Sequence, residues 1–121
     1  MIAVTLEQLA EDVHGSYTGS GDTLVRDLST DTRTIQHGAI FAAIKGARVD
    51  GAELAGDALA AGAAAVLTSD PRTALASGAK QDALVVVPDV QNAIGELARA
   101  NLQRARTLGR SDLKVVAVTG S

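Results

Sequence analysis

The sequence contains no cysteine and no tryptophan, and its only aromatic side chains are Tyr17 and Phe41. Without cysteine the chain can form neither a disulfide framework nor a thiolate metal site, which fits a reducing compartment and predicts a cytoplasmic location. Single-stranded nucleic acids bind by stacking on aromatic side chains, so the near absence of aromatics argues against that class of partner.

The sequence also lacks a basic block and a long apolar run. Acids and bases are interspersed, with 11 Lys and Arg against 14 Asp and Glu for a net charge of −3. Binding to nucleic acid phosphates needs clustered Lys and Arg, and a membrane span needs about 20 apolar residues. The N-terminus does not have the pattern of a signal peptide. We therefore expect neither a nucleic acid partner nor a membrane partner. We also expect a monomer, since nothing in the sequence indicates an obligate dimer.

The 121 residues suffice for one ordinary domain, and three segments have the helical spacing of apolar residues. The first spans residues 5–15, where Thr5 can cap the start and Gly15 can close the end. Its apolar stripe is Leu6, Leu9, Ala10 and Val13. The other two helices are predicted at residues 52–62 and 90–106. Asp89 can cap the last, and its predicted stripe is Ile94, Leu97, Ala98 and Leu102.

Four short apolar runs bounded by Gly, Pro or Asp are typical of buried strands. They lie at residues 39–44, 64–69, 83–88 and 114–120. Together with the helices they predict an α/β fold, with a small mixed or mostly parallel sheet and about three flanking helices. One or two short strands are expected within residues 15–33, and residues 69–82 form the most loop-like segment.

Polar residues flank the predicted strand at 39–44 on both sides. Before it, Thr30, Asp31, Thr32 and Arg33 place two hydroxyls, a carboxylate and a guanidinium in consecutive positions. If that piece is extended, the two threonines share one face, and the acid and base share the other. The residues alone also allow a simpler interpretation, in which Asp31 and Arg33 form a surface ion pair.

After the strand, Gly46 and Gly51 permit a tight path that presents backbone N–H and C=O groups to a ligand. Backbone recognition of this kind suits a heterocycle such as uracil, and Arg33, Lys45 or Arg48 can meet a diphosphate. On the simpler interpretation these glycines are ordinary turns.

The order of these features resembles the N-terminal part of the Mur ligases, the ATP-dependent enzymes that extend the peptide of the peptidoglycan precursor. The similarity is carried by TDTRTIQHGAIFAAIKGARVDG, residues 30–51, and its most specific part is Asp31 to Gly51. The stretches VTLEQLAEDVHG, GAAAVLTSD and VVVPDVQNAIGELARANLQ extend the similarity over nearly the whole chain. In this family the next strand runs into the phosphate loop TG[ST]xGKT, and KVVAVTGS at residues 114–121 is similar to its beginning.

The resemblance implies a division of labour between domains. It is greatest to the Mur ligases that add D-alanyl-D-alanine to UDP-N-acetylmuramoyl-tripeptide, and next to those that add the third amino acid. In these enzymes ATP and Mg²⁺ activate the peptide carboxylate as an acyl phosphate in the central domain, while the N-terminal domain holds the UDP end. Residues 1–112 would then be the UDP-binding domain, and residues 113–121 the first strand and partial loop of the ATP-binding domain.

The resemblance also assigns residues to these roles. Thr30 and Thr32 match positions that contact the uridine, and Asp50 with Gly51 would shape the neighbouring loop. The remaining substrate-binding expectations are Arg33 and Lys45 near the nucleotide and Ala47, Arg48 and Val49 around the uracil. The partial ATP loop consists of Thr119, Gly120 and Ser121. No catalytic residue, no metal ligand and no bound cofactor is expected here. Because the lysine of the ATP loop and both other domains are missing, the 121 residues alone should neither hydrolyse ATP nor ligate.

Two other classes of protein share these features. A stand-alone, non-enzymatic α/β binding module has the same composition, and an incomplete P-loop NTPase of another family has the same last strand. A sequence that continues as x-G-K-T with several hundred further residues excludes the first. Binding of UDP excludes the second.

Overall fold

A five-stranded, mostly parallel sheet lies at the centre of the structure. The computed structural model describes residues 2–45 and 50–113, with side chains described as far as residue 108. The described strands are, in chain order, β1 (Val4–Thr5), β2 (Ser16–Tyr17), β3 (Leu24–Val25), β4 (Asp27–Ser29), β5 (Ala39–Ala42), β6 (Ala65–Thr68) and β7 (Leu84–Val86). The described α-helices are α1 (Leu6–Asp12), α2 (Ala55–Ala60), α3 (Pro71–Ala76) and α4 (Val90–Leu113).

The strands of the main sheet lie in the order β2-β7-β6-β5-β4. Neighbouring strands from β4 to β7 are parallel, and β2 pairs antiparallel with β7 at one edge. The short strands β1 and β3 form a separate antiparallel pair. The predicted α/β fold with a mixed, mostly parallel sheet is therefore confirmed. The strand predicted at residues 114–120 lies outside the described residues.

Helix α3 lies in the segment that we interpreted as the most loop-like, so that interpretation is wrong. The Asp70 carboxylate caps the helix by accepting hydrogen bonds from the Thr73 backbone N–H at 3.2 Å and the Thr73 hydroxyl at 2.6 Å. Pro71 occupies the first turn, where its missing N–H has no intrahelical partner to lose. Helix α3 forms the crossover connection that the parallel neighbours β6 and β7 require. It was not among the roughly three flanking helices predicted from the sequence.

Hydrophobic side chains cover both faces of the sheet. On one face, Leu9 of α1 and Leu97 of α4 pack with Ile40 of β5. On the other, Ala58 of α2 packs with Phe41, the next residue of the same strand. Alternate residues of a strand point to opposite faces, which explains why β5 reads as a continuous apolar run.

Helix α1 agrees with its prediction, and α4 does so only in part. The Thr5 hydroxyl caps α1 by accepting from the Gln8 backbone N–H at 3.2 Å. On α4, Val90, Ala93 and Leu97 are buried, with Ile94 packed against them. Leu102 is 50% exposed and Ala98 is also exposed, so the predicted stripe is wrong at these two positions.

The second half of α4 is attached to the rest of the domain through polar contacts. The Arg104 guanidinium lies 2.6 Å from a carboxylate oxygen of Asp12 at the end of α1. The Asn101 side-chain oxygen accepts a hydrogen bond from the Ile2 backbone N–H at 2.8 Å. No helix in the described ranges is long and apolar enough to cross a membrane.

Candidate functional site at the carboxyl edge of the sheet

The polar residues selected from the sequence follow strands that end at one edge of the sheet. Thr30 comes directly after β4, and Lys45 comes three residues after the end of β5. Because β4 to β7 are parallel, the segments after all four strands leave the sheet at the same edge. In open α/β sheets this edge is where ligands usually bind.

The loop after β4 is held by short-range hydrogen bonds. The Ser29 hydroxyl donates to the Asp31 carbonyl at 3.0 Å and accepts from the Asp31 backbone N–H at 3.2 Å. Residues Thr32–Thr34 then form a 3-10 helix. The extended conformation therefore stops at Asp31, and the alternating faces that we considered for residues 30–33 are not formed.

Asp31 and Arg33 form the ion pair that the simpler interpretation proposed. The Arg33 Nη2 and Nε donate to the two carboxylate oxygens of Asp31 at 2.8 and 3.0 Å, and the Arg33 backbone N–H donates at 2.9 Å. These bonds, those of the side chain first, lower the Asp31 pKa from 3.8 to about 2. The carboxylate in turn raises the pKa of Arg33, whose side chain is 86% exposed.

The loop after β5 is closed at its base. Lys45 and Asp50 pair as an antiparallel bridge, and the Gly51 backbone N–H donates to the Ile44 carbonyl at 3.0 Å. The Asp50 carboxylate accepts from the Ala52 backbone N–H at 3.0 Å. A Cβ on Gly51 would lie 2.6 Å from the Ile44 carbonyl oxygen, so this position requires glycine. The expectation that Asp50 and Gly51 shape the loop is thus confirmed.

The tip of this loop, residues 46–49, lies outside the described residues. The expectations for Ala47, Arg48 and Val49 fall there. The partial ATP loop at Thr119, Gly120 and Ser121 also lies outside the described residues, so no geometry bears on it.

A cleft of about 230 Å³ lies at the same edge, between the ends of β5, β6 and β7. Lys45 lines it together with Ser69 and with residues 88–91 at the start of α4. Thr30, Thr32 and Arg33 do not line this cleft, so the structure brings the two predicted groups to one edge without joining them in a single cavity. The charge of Lys45 contributes to the lowered pKa of Asp70, after the larger effect of the hydrogen bonds from Thr73.

Sequence reasoning missed Ser69 as a cleft residue and predicted Asp89 only as a helix cap. The capping bond is present, since the Asn92 backbone N–H donates to Asp89 Oδ1 at 3.1 Å. The signal that could have identified both residues is their position after a buried strand of a parallel sheet. Among the described residues, no group of three or more His, Cys, Asp or Glu is placed to hold a metal ion.

Comparison with known proteins agrees with this architecture. Residues 25–102 match the family model described as Mur ligase family, catalytic domain. Over its whole length the chain is 39% identical to the UDP-N-acetylmuramoyl-tripeptide–D-alanyl-D-alanine ligase of Escherichia coli, and 32% identical to the Bacillus subtilis enzyme of the same name.

These relatives are much longer than the chain. It spans 24% of the E. coli enzyme and 25% of the B. subtilis enzyme. A crystal structure of MurF from Acinetobacter baumannii is similar over 78% of this chain and 20% of its own, with a TM-score of 0.64 and 26% identity. Since the family model covers more than half of the residues and the fold is similar as well, the chain belongs to the Mur ligase family.

Proposed function

We propose that this chain is the domain of a UDP-N-acetylmuramoyl-tripeptide–D-alanyl-D-alanine ligase that binds the UDP end of the nucleotide precursor. The observation that carries the proposal is the 39% identity, over every residue of the chain, to the E. coli enzyme of that name. The carboxyl edge of the sheet supports it, because two polar loops leave the sheet at this edge and a cleft lies at the same edge. The proposed binding residues are Thr30, Thr32, Arg33, Lys45, Ala47, Arg48 and Val49.

The proposed role of the domain is positioning. Binding energy from the UDP end, far from the reacting carboxylate, helps to hold the peptide end in place for the reaction. Hydroxyls and backbone groups suit the uridine, and the cations Arg33 and Lys45 suit the diphosphate. Both cationic side chains are exposed and therefore accessible to a ligand.

The rest of the reaction is assigned to other parts of the enzyme. ATP, Mg²⁺ and D-alanyl-D-alanine would bind beyond residue 112, with Thr119, Gly120 and Ser121 as the start of the ATP loop. Residues 1–112 would form the UDP-binding domain of a cytoplasmic, monomeric enzyme with no nucleic acid or membrane partner.

A second candidate is the equivalent domain of the ligase that adds the third amino acid. It is favoured by 38% identity over 104 residues to the UDP-N-acetylmuramoyl-L-alanyl-D-glutamate–2,6-diaminopimelate ligase of Synechococcus. Both candidates bind the same UDP end. A ligation assay of a chain with the relatives' full length, offered D-alanyl-D-alanine or diaminopimelate, distinguishes them.

Saturation-transfer NMR of the 121-residue chain with UDP tests the proposed binding. We expect magnetisation transfer to UDP and none above background to ATP. Thr32→Val, which removes a hydroxyl at constant shape, should weaken UDP binding by about two- to tenfold, the usual contribution of one hydrogen bond. Thr34→Val in the same 3-10 helix is the matched control and should leave binding unchanged. Equal transfer to UDP and ATP would overturn the proposal.

A further inference from the structure

The guanidinium of Arg33 uses only one of its edges to hold Asp31. Nε donates to both carboxylate oxygens, at 3.0 and 3.3 Å, and Nη2 donates to Oδ2 at 2.8 Å. A guanidinium carries five N–H donors in a rigid plane. Within the described residues, the group donates only to Asp31, and the Nη1 edge keeps both of its donors.

The carboxylate that holds this edge is itself fixed to the backbone. Asp31 Oδ1 accepts from the Arg33 backbone N–H at 2.9 Å, and the Asp31 backbone is tied to the Ser29 hydroxyl. Ser29 is the last residue of β4 and pairs with Phe41 of β5. A chain of hydrogen bonds thus runs from the sheet through Ser29 and Asp31 to the guanidinium.

We propose that Asp31 is a positioning residue, which fixes the Arg33 guanidinium so that the Nη1 edge, which Asp31 does not use, meets the diphosphate of the bound UDP group. This inference rests on the proposed function. Arginine loses substantial rotamer freedom when it binds a ligand, and a side chain already held by Asp31 has less to lose. With one edge bound to Asp31, the planar guanidinium still offers N–H donors whose geometry matches phosphate oxygens.

The alternative role for Asp31 is electrostatic repulsion of the ligand, which affects UDP binding in the opposite direction. A carboxylate beside a phosphate site repels the ligand and partly neutralises Arg33, so its removal would then tighten UDP binding. At an exposed position such charge effects are attenuated by water. We therefore expect the geometric effect to exceed the repulsion.

Asp31→Asn separates these roles, because the amide oxygen can still cap the 3-10 helix while the charged bond to the guanidinium is lost. UDP and uridine serve as paired probes in NMR titrations of the whole chain. We expect Asp31→Asn to weaken UDP binding by about three- to fivefold, within the range of an exposed ion pair, and to change uridine binding by less than twofold. Arg33→Met should weaken UDP binding more, and adding Asp31→Asn to it should have no further effect.

Several results would overturn the inference. Equal weakening of UDP and uridine would mean that Asp31 only shapes the loop, and unchanged or tighter UDP binding would mean that it does not position Arg33. Additive effects of the two substitutions would exclude action through Arg33. A wild-type chain that binds no UDP would overturn the proposed function as well. Thr5→Ala, which removes a different capping bond at α1, is the control for a general loss of stability.

Discussion

At the scale of single residues, Asp31 and Arg33 show what two residues close together in the sequence can and cannot predict. Their spacing allowed both a ligand site and a surface ion pair, and the structure shows the ion pair at 2.8 Å. The sequence could not predict the 3-10 helix that turns Arg33 back onto Asp31, because that turn depends on the capping bond. The pair and the ligand site are compatible, since one guanidinium edge is not used by Asp31.

The ion pair leads to a prediction about pH. NMR titration of the Asp31 carboxyl should give a pKa of about 2, and Arg33→Met should return it part of the way toward the ordinary value, because the guanidinium bonds to the ionised form are lost while the backbone N–H bond remains. A pKa that is lowered by folding contributes stability above the ordinary value, and that contribution is lost as the pH falls through about 2. An unshifted pKa in the wild-type chain would contradict the geometry.

Two glycines give opposite predictions when replaced by alanine. At Gly51 the new Cβ would lie 2.6 Å from the Ile44 carbonyl oxygen and 2.7 Å from the Ala43 carbonyl carbon. Gly51→Ala should therefore lower the free energy of unfolding by about 1–3 kcal/mol, as overpacking usually does. At Gly95, within α4, the nearest atom apart from the helix's own backbone and the adjacent residues is Arg99 Nη1, 3.8 Å from the new Cβ. Gly95→Ala should raise the free energy of unfolding by about 0.5–1 kcal/mol because alanine favours the helix.

Denaturant unfolding of both variants measures these changes. The wild-type chain is the reference, and circular dichroism checks that the helix content is retained. Equal effects of the two substitutions would show that the close approach at Gly51 does not constrain the loop.

At the scale of elements, helices and strands were predicted correctly where the apolar pattern was strong. The prediction failed where the pattern was weak and the topology of the sheet determined the structure. The strands β5, β6 and β7 were predicted from their short apolar runs. Helix α3 was missed although Asp70 and Pro71 form a helix-start signal, because its apolar pattern is weak. The requirement of a crossover between parallel neighbours would have identified it.

The contact between α1 and α4 also could not be predicted, because Asp12 and Arg104 are 92 residues apart. Their side chains are only 10% and 26% exposed, respectively. Arg104→Met would leave the Asp12 carboxylate without its cation in a partly buried position. We expect a loss of about 1–2 kcal/mol in the free energy of unfolding.

Arg106→Met is the matched control for this contact, since Arg106 is exposed on the same helix. That variant should change the free energy of unfolding by less than about 0.5 kcal/mol. Thermal or denaturant unfolding of both variants measures the difference. Equal stability of the two would indicate that the ion pair does not hold α4 against α1.

At the scale of the whole molecule, the candidate site depends on topology. The segments that follow β4, β5, β6 and β7 meet at one edge only because these strands are parallel and adjacent. The sequence predicted binding segments at residues 30–33 and 45–49, from the residue pattern and from the resemblance to the Mur ligases. It could not predict the cleft formed by Lys45, Ser69 and the start of α4, since cavities arise from packing between distant segments.

The central claim is that this domain recognises the UDP end of its substrate at the carboxyl edge of the sheet. The most direct measurement is chemical-shift mapping of the ¹⁵N-labelled chain during titration with UDP. We predict that the largest shifts occur at residues 30–33 and 45–49. A titration in which UDP causes no shifts at all would contradict the claim. So would a titration that shows binding but whose shifts all lie outside both segments.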